Sequence, residues 1–219
     1  MKCFVIAMES EASPVLLNMQ IEDERLIHGK HVVRGKLYGR DTAVIICGVG
    51  KVNAACGAQI AIDLLEADTV INIGVAGGLN GGVNVGEIYG ISKVVQYDFD
   101  LTQLNGTKIG TLDECEENYI PLKTTMAYPL KKLATGDRFN DSEIDFKLLT
   151  KELEADIRDM EGGAIAQVCM HSHVDFYSFK AISDLAKHGS TTEQFTANLR
   201  LCKAKLAEEL KKIVEAVFK

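Results

Sequence analysis

The 219-residue chain lacks a surplus of basic residues: 24 lysines and arginines stand against 31 aspartates and glutamates, giving a formal net charge of −7. A polyanion such as a nucleic acid is therefore not expected as a partner, since neutralising phosphates takes an excess of Lys and Arg. The chain also lacks an apolar run long enough to cross a membrane. The short apolar run Cys3–Met8 is followed by no small-residue cleavage site, which is typical of a first strand and not of a signal peptide. We therefore expect a cytoplasmic protein without a membrane partner.

None of the six cysteines belongs to a C-x-x-C pair, so neither a zinc site nor a disulfide is expected. Most of them lie in apolar stretches and are predicted to be small core residues in a reducing compartment. Cys115 differs because it lies in the acidic stretch Asp113–Glu117, whose carboxylates should raise the pKa of its thiol. His171 and His173 have no further ligands in sequence and are more typical of a helix end than of a metal site. We expect no bound metal.

Apolar runs and amphipathic stretches alternate along the chain, without a low-complexity linker or a repeat. The stretch Lys51–Leu65 is rich in alanine and predicts a helix packed closely on a sheet. The tail from Thr192 to Phe218 predicts a long helix, with Leu199, Leu206, Leu210, Ile213 and Val217 on one face and Thr191 or Thr192 as its cap. The predicted strands are Lys2–Met8, Val32–Tyr38, Ala43–Cys47, Thr69–Ile73, Ile88–Tyr97, Lys132–Thr135, Ala155–Asp159 and Asp175–Ile182. This alternation indicates a single α/β domain over residues 1–219, a three-layer α/β/α sandwich.

Carboxylates follow three of the predicted strands. Glu9 and Glu11 come after the first strand, Asp159 and Glu161 after a later one, and Asp184 at the end of the last. Ligands bind at strand ends in open α/β sheets. Asp184 stands between apolar neighbours, where a charge needs a partner or a chemical task. We expect one acidic site assembled from distant parts of the chain.

Two glycine-rich segments follow buried strands without matching a nucleotide-binding fingerprint. Gly48–Lys51 cannot be a phosphate loop because Val52 occupies the hydroxyl position, and Asn53 stands where a dinucleotide fingerprint needs its third glycine. A tight strand–helix turn and close backbone approach to a sugar or base both remain open for it. In the segment Asn72–Leu79, two adjacent glycines leave room for a flat ligand, although the segment taken alone favours an ordinary turn.

Taken in order, these motifs resemble the nucleoside phosphorylase/hydrolase superfamily, and within it the 5′-methylthioadenosine/S-adenosylhomocysteine nucleosidases. The resemblance spans nearly the whole chain but is weak from Asp98 to Leu130, where Asp98–Pro121 is predicted to be a long surface loop. It implies a mixed central sheet of the nucleoside phosphorylase type. The matching segments are Ala7–Glu11, Gly48–Ala55, Gly74–Leu79, Thr135–Phe139, Asp159–Glu161 and Ala181–Asp184.

The resemblance also implies cleavage of the N-glycosidic bond of a purine nucleoside, without a cofactor. It makes Asp184 the acid that protonates purine N7, oriented by Ser183, and Glu11 the base that activates water. It makes Glu161 the residue that holds the ribose hydroxyls. The other substrate-binding positions it implies are Met8, Val49, Ala76, Gly77, Phe139 stacked on the purine, Asn140 with backbone groups at the purine edge, Met160 on the sugar, and Lys180.

Three readings of the function follow. The first is hydrolysis of methylthioadenosine, S-adenosylhomocysteine or a related 5′-modified nucleoside. The second is phosphorolysis, which is disfavoured because the first loop, Met8–Pro14, has no cation and the segment Asn72–Val75 has neither Arg nor Ser. The third is a non-catalytic nucleoside-binding protein, which would not need Glu11, Glu161 and Asp184 together.

Four positions depart from the pattern of the nucleosidases. Val75 stands where Ser is usual, Lys180 where Arg is usual, and Asp159 where Glu is usual; an aromatic of the 5′ pocket is expected to be lost near Thr192. The resemblance further implies a homodimer whose partner subunit closes the 5′ end of the pocket. The loop after Ile88–Tyr97 could cover the strand face of its own subunit or reach across to a neighbour, and the neighbour is favoured because a lone subunit would leave the 5′ pocket open to water. Its apolar residues are Phe99, Leu101, Leu104, Ile109 and Leu112.

Overall fold

The computed structural model describes residues 1–218 and contains ten strands and six helices. The strands are β1 (Lys2–Ile6), β2 (Met19–Ile27), β3 (Lys30–Leu37), β4 (Arg40–Ile46), β5 (Thr69–Gly78), β6 (Ile88–Gln96), β7 (Ile120–Pro121), β8 (Leu130–Thr135), β9 (Ile157–Asp159) and β10 (Asp175–Leu185). The helices are α1 (Glu9–Leu16), α2 (Lys51–Asp63), α3 (Thr102–Asn105), α4 (Glu143–Lys147, continued by a π-helical turn over Leu148–Glu152), α5 (Gly162–His171) and α6 (Thr191–Val217).

All ten strands belong to one mixed sheet. On one side of β5 the order is β1, β4, β3, β2, with β1 parallel to both β5 and β4. On the other side, β5 pairs with both β10 and β9. Strand β10 pairs with β6, β6 with β8, and β8 with β9, so these five strands form a closed ring. Strand β5 is shared by the open and the closed parts, and its carboxyl end therefore faces the ends of β1, β9 and β10.

Helices cover both faces of the sheet, as the three-layer prediction requires. Alternate residues of β1 point to opposite sides: Cys3 and Val5 pack with α2 and α5, whereas Phe4 and Ile6 pack with α1 and α6. These side chains are fully buried, which explains why the strand is apolar on both faces. The fold class and the mixed sheet are confirmed.

Four details differ from the sequence predictions. Strand β2 was not predicted, because as an edge strand it exposes polar residues on both faces and carries no apolar alternation. Helix α6 is capped by Ser190, whose hydroxyl accepts the Glu193 amide, and not by Thr191 or Thr192. The segment Asp98–Pro121 is not wholly a surface loop, because it contains α3 and buries Leu112 in the core. Cys115 is partly buried, and burial, more than Glu114, raises the pKa of its thiol.

Several strand ends also shift by a few residues. The largest shift is in β5, which continues through the second glycine-rich segment to Gly78, so the predicted turn there is strand. Among residues 1–218 no helix is long and apolar enough to cross a membrane.

Candidate active site

A cavity of about 520 Å³ opens where the carboxyl ends of β1, β5, β9 and β10 meet. The three acidic clusters predicted from the sequence come together here, because Glu11, Glu161 and Asp184 all line it. The predicted residues that join them on the wall are Met8, Val49, Ala76, Gly77, Phe139, Met160 and Ser183. Two predicted residues, Asn140 and Lys180, do not line the cavity.

Glu11 is held from two directions by backbone amides. It is the third residue of α1, and its Oε2 accepts the amide of Met8 at 3.2 Å, as capping glutamates do. Its Oε1 accepts the amide of Val75 in β5 at 2.8 Å. Gly74 leaves the space that the carboxylate needs, since a Cβ there would lie 2.8 Å from Oε1. Burial raises the pKa of Glu11, against the opposing effects of Lys180 and the two amides.

Glu161 lies between β9 and α5, and its Oε1 accepts the amide of Gly50 at the start of α2 at 3.0 Å. The contact joins the first glycine-rich segment to the acidic site. The partner of the backbone in this contact is a carboxylate, whereas the sequence left open a tight turn or an approach to a sugar or base. Burial, with the negative charge of Asp159 adding to it, raises the pKa of Glu161 from its usual 4.5 to about 7. This carboxyl group therefore changes its protonation near neutral pH.

Lys180 and Asp159 form an ion pair in which Asp159 lines the cavity and Lys180 lies behind it. Their Nζ and Oδ2 atoms lie 2.8 Å apart, and the side chains are 2% and 1% exposed. Asp159 also accepts the Gly162 amide at 2.9 Å and the Thr135 hydroxyl. Burial alone would lower the pKa of Lys180, but Asp159, Glu161 and Glu11 outweigh it and raise that pKa. Lys180 is thus a permanent cation beneath the acidic site. The prediction that it binds substrate differs from the structure, in which Lys180 does not line the cavity.

Asp184 reaches the cavity through an irregularity in β10. The pairing of β10 with β5 shifts by one residue between Ile182 and Asp184, as in a β-bulge. The Ser183 hydroxyl donates to Asp184 Oδ1 at 2.7 Å, as the resemblance implied. Asp184 Oδ2 is the one buried side-chain oxygen or nitrogen in residues 1–218 that has no hydrogen-bond partner.

Burial also sets the protonation of Asp184. It raises the pKa of the carboxyl group, while the Ser183 hydrogen bond and Arg158 oppose that rise. Buried polar atoms are nearly always hydrogen-bonded in folded proteins. The unpaired Oδ2 is therefore an acceptor, or when protonated a donor, that a ligand in the cavity can satisfy.

Aromatic side chains close one side of the cavity. Phe139, half exposed, meets Phe195 edge to face with ring centroids 5.5 Å apart. Phe195 lies one helical turn after Thr192 on α6, so an aromatic side chain lines the cavity close to the position where the loss of one is expected. The sequence signal for Phe195 was its i, i+3 spacing from Thr192, which places both on one helix face.

Other wall residues were missed or lie elsewhere than predicted. Arg138, Arg158 and Thr196 line the cavity without having been singled out in the sequence. Asn140 is turned away, because its side-chain amide donates to Asp145 at 2.9 Å. His171 contacts Glu114 at 2.9 Å at the surface, and no cluster of three or more metal-ligating side chains occurs within residues 1–218.

Comparisons with known proteins agree with this arrangement. The family model of the phosphorylase superfamily matches residues 2–218. A 5′-methylthioadenosine/S-adenosylhomocysteine nucleosidase of Buchnera aphidicola subsp. Acyrthosiphon pisum (strain Tuc7) is 32% identical over 223 residues, covering 96% of this chain and 94% of the relative.

Solved structures share the fold over nearly the full length. A 5′-methylthioadenosine/S-adenosylhomocysteine nucleosidase from Colwellia psychrerythraea 34H in complex with adenine superposes with a TM-score of 0.89 at 26% identity, covering 99% of this chain and 96% of that one. The futalosine hydrolase of Helicobacter pylori strain 26695 has a TM-score of 0.89 at 23% identity, covering 98% and 97%. At that identity the second likeness concerns the fold alone.

Replacing Glu161 with Gln should stabilise the protein more at pH 8 than at pH 5. The raised pKa means that the folded state holds the Glu161 proton better than the unfolded state does, so its stabilising contribution is present below pH 4.5 and lost as the pH rises through about 7. The Gln variant keeps the acceptor for the Gly50 amide and has no charge to bury. We expect the stability difference to grow by on the order of 1–3 kcal/mol between the two pH values.

Denaturant unfolding at both pH values measures this difference. Glu116→Gln is the matched control, because Glu116 is exposed. An equal effect of Glu161→Gln at pH 5 and pH 8 would contradict the prediction.

Proposed function

The chain belongs to the phosphorylase superfamily and, within it, to the family of 5′-methylthioadenosine/S-adenosylhomocysteine nucleosidases; from this we propose that it hydrolyses the N-glycosidic bond of 5′-modified adenine nucleosides. Its substrates are 5′-methylthioadenosine, S-adenosylhomocysteine or both, and its products are adenine and the corresponding thioribose. The observation that carries the proposal is the convergence of Glu11, Glu161 and Asp184 on one cavity.

Asp184 has the environment of a general acid. Breaking the C1′–N9 bond leaves electrons on the purine, and protonation at N7 makes the purine a better leaving group. Burial favours the protonated carboxyl group, and Oδ2 has no competing partner in residues 1–218. The Ser183 hydrogen bond at 2.7 Å fixes the orientation of the carboxyl group. Asp184 therefore donates its proton to N7 as the bond breaks.

Glu11 has the environment of a general base. Its two oxygens are fixed by the amides of Met8 and Val75, so the carboxylate has one orientation towards the cavity. Lys180 opposes the effect of burial and favours the ionised form. Glu11 takes a proton from water while the water oxygen forms the new bond to C1′. Glu161 binds the ribose hydroxyls on the same side of the site.

Water is favoured over phosphate as the nucleophile because carboxylates already accept backbone amides of both glycine-rich segments. The amides of Gly50 and Val75 donate to Glu161 and Glu11, and that of Lys51 donates to Asp137 at 2.8 Å. A phosphate would have to displace these carboxylates and overcome their charge. Phosphorolysis is therefore the weaker alternative, and a purely non-catalytic binding role leaves the placement of Asp184 and Glu11 unexplained.

We further propose a single-domain cytoplasmic enzyme that acts as a homodimer on a small molecule, without nucleic acid, membrane or cofactor. The support for the dimer lies in the segment between β6 and β7. Phe99 and Leu112 pack on the core of their own subunit. These two apolar residues therefore give no support to a contact with a second subunit. Leu104 on α3, however, is 80% exposed, and Val49 at the cavity wall is also exposed. A second subunit would cover the exposed side chains of Leu104 and Val49.

Adenine release from 5′-methylthioadenosine should not depend on phosphate. The reason is that carboxylates already accept the backbone amides of both glycine-rich segments. Chromatography of the products with and without phosphate measures both the rate and the sugar product. Strict dependence on phosphate, with a ribose-1-phosphate product, would replace hydrolysis by phosphorolysis.

Asp184→Asn should lower kcat for 5′-methylthioadenosine by about two to four orders of magnitude, the usual contribution of a general acid. Glu11→Gln should be comparably inactive but should still bind adenine, because the residue acts on water and not on the base. Steady-state rates and adenine titration by calorimetry give the two quantities. The exposed Asp113 provides the control Asp113→Asn; near-normal turnover by folded Asp184→Asn would remove this residue from its role.

Leu104→Glu should weaken self-association, whereas Leu26→Glu, which alters a leucine that is 76% exposed on β2, should not. A charge placed in a buried apolar contact is destabilising, and the same change on a free surface is nearly neutral. Light scattering at micromolar concentration distinguishes dimer from monomer. A wild-type monomer with full activity would refute the dimer.

A further inference from the structure

Arg158 lies at the Asp184 end of the cavity, next to a glycine. It belongs to β9 and pairs with Gly77 of β5. A Cβ on Gly77 would lie 2.7 Å from Asp184 Oδ2 and 3.3 Å from Arg158 Nε. The absent side chain thus leaves one space that the carboxylate and the guanidinium group share. Both residues line the cavity.

The guanidinium group of Arg158 has no carboxylate partner. Its Nη2 donates to the Thr191 hydroxyl at 3.3 Å, and no carboxylate of residues 1–218 lies within ion-pair distance of it. The other arginine on the wall differs in this respect, because Arg138 pairs with the buried Asp145 at 2.9 Å. An arginine has five N–H donors. Most of those on Arg158 are therefore free for a ligand.

We propose that Arg158 is a base-recognition residue that allows the enzyme to cleave purine nucleosides carrying an oxygen at C6, in addition to adenine nucleosides. The inference rests on the proposed function, since it takes Asp184 to be the group that meets purine N7. It adds a second class of substrate, a 5′-modified 6-oxopurine nucleoside.

The hydrogen-bonding groups of the two bases explain why both residues are needed. The 6-amino group of adenine is a donor, and Asp184 Oδ1, which already accepts the Ser183 hydroxyl, can accept from it while Oδ2 meets N7. The 6-oxo group is an acceptor, and Oδ1 has no proton to offer it. Arg158 has only donors, so it satisfies the oxygen at the same edge of the base. A site built on Asp184 alone would accept the amino group and reject the oxygen.

The same placement assists bond cleavage in an oxopurine nucleoside. As the C1′–N9 bond breaks, its electron pair goes to the base and the negative charge spreads onto the C6 oxygen, where Arg158 stabilises it. Asp184 supplies a proton to N7, water forms the new bond to C1′, and Glu11 receives the proton of that water. The products are hypoxanthine and the same thioribose, and no further reactant is required.

Kinetics with a matched pair of substrates test the inference. We expect the wild-type enzyme to release hypoxanthine from 5′-methylthioinosine as well as adenine from 5′-methylthioadenosine. Arg158→Met should lower kcat/KM for methylthioinosine by about tenfold to a hundredfold, the usual effect of losing a charged hydrogen bond. The value for methylthioadenosine should change far less. Arg200→Met, a control at an exposed arginine of α6, should leave the ratio of the two substrates unchanged.

Equal losses on both substrates in Arg158→Met would show that Arg158 only anchors Thr191 and the start of α6, and would overturn the proposal. Absence of hypoxanthine release by the wild-type enzyme, with adenine release intact, would also overturn it, and this holds even if the variant does not fold. Absence of both activities would instead refute the proposed function. Competition by free hypoxanthine and adenine, measured as inhibition constants, gives a second readout in which Arg158→Met should weaken hypoxanthine selectively.

Discussion

The buried ion pair of Lys180 and Asp159 is the interaction on which the acidic site depends. Three carboxylates, Asp159, Glu161 and Glu11, influence the one ammonium group, so the interior holds more negative than positive charge when all are ionised. Such a cluster is stable in a folded protein only if the cation is present and some of the carboxyl groups hold protons. Burial, with the charge of Asp159 adding to it, raises the pKa of Glu161 in keeping with this requirement. Through Asp159 the pair also joins β10 to β8 and to the start of α5, and Glu161 is placed by the same turn.

Two departures from the nucleosidase pattern, Lys180 and Asp159, contact each other in the structure. The sequence shows Lys180 and Asp159 as separate replacements of an expected Arg and Glu. The two side chains are partners at 2.8 Å, and each is shorter than the residue that the resemblance leads one to expect. A shorter cation with a shorter carboxylate keeps the charge balance. What is lost is the planar fork of donors that an arginine would offer at this position.

The sequence predicts the elements whose consecutive residues are all buried. Strands such as Ala43–Cys47 are buried on both faces and long apolar runs reveal them, whereas the edge strand β2 has no such signal because solvent surrounds its side chains. The three carboxylates of the cavity were predictable because each stands just after the end of a predicted strand. Arg158 was not, since its side chain reaches the cavity only through the pairing of β9 with β5, and the signal for Phe195 was limited to its i, i+3 spacing from Thr192. Ser190, Thr191 and Thr192 are all plausible caps, and only the backbone geometry selects the first.

Gly74 shows how the site restricts the evolution of its own chemistry. A side chain of any size at this position would enter the space of the Glu11 carboxylate, and a shorter acid at position 11 would lose the amide of Val75. Either change would force the Glu11 carboxylate to move or to give up a hydrogen bond. Positions 11 and 74 therefore constrain each other, and a substitution at one of them should require a compensating substitution at the other.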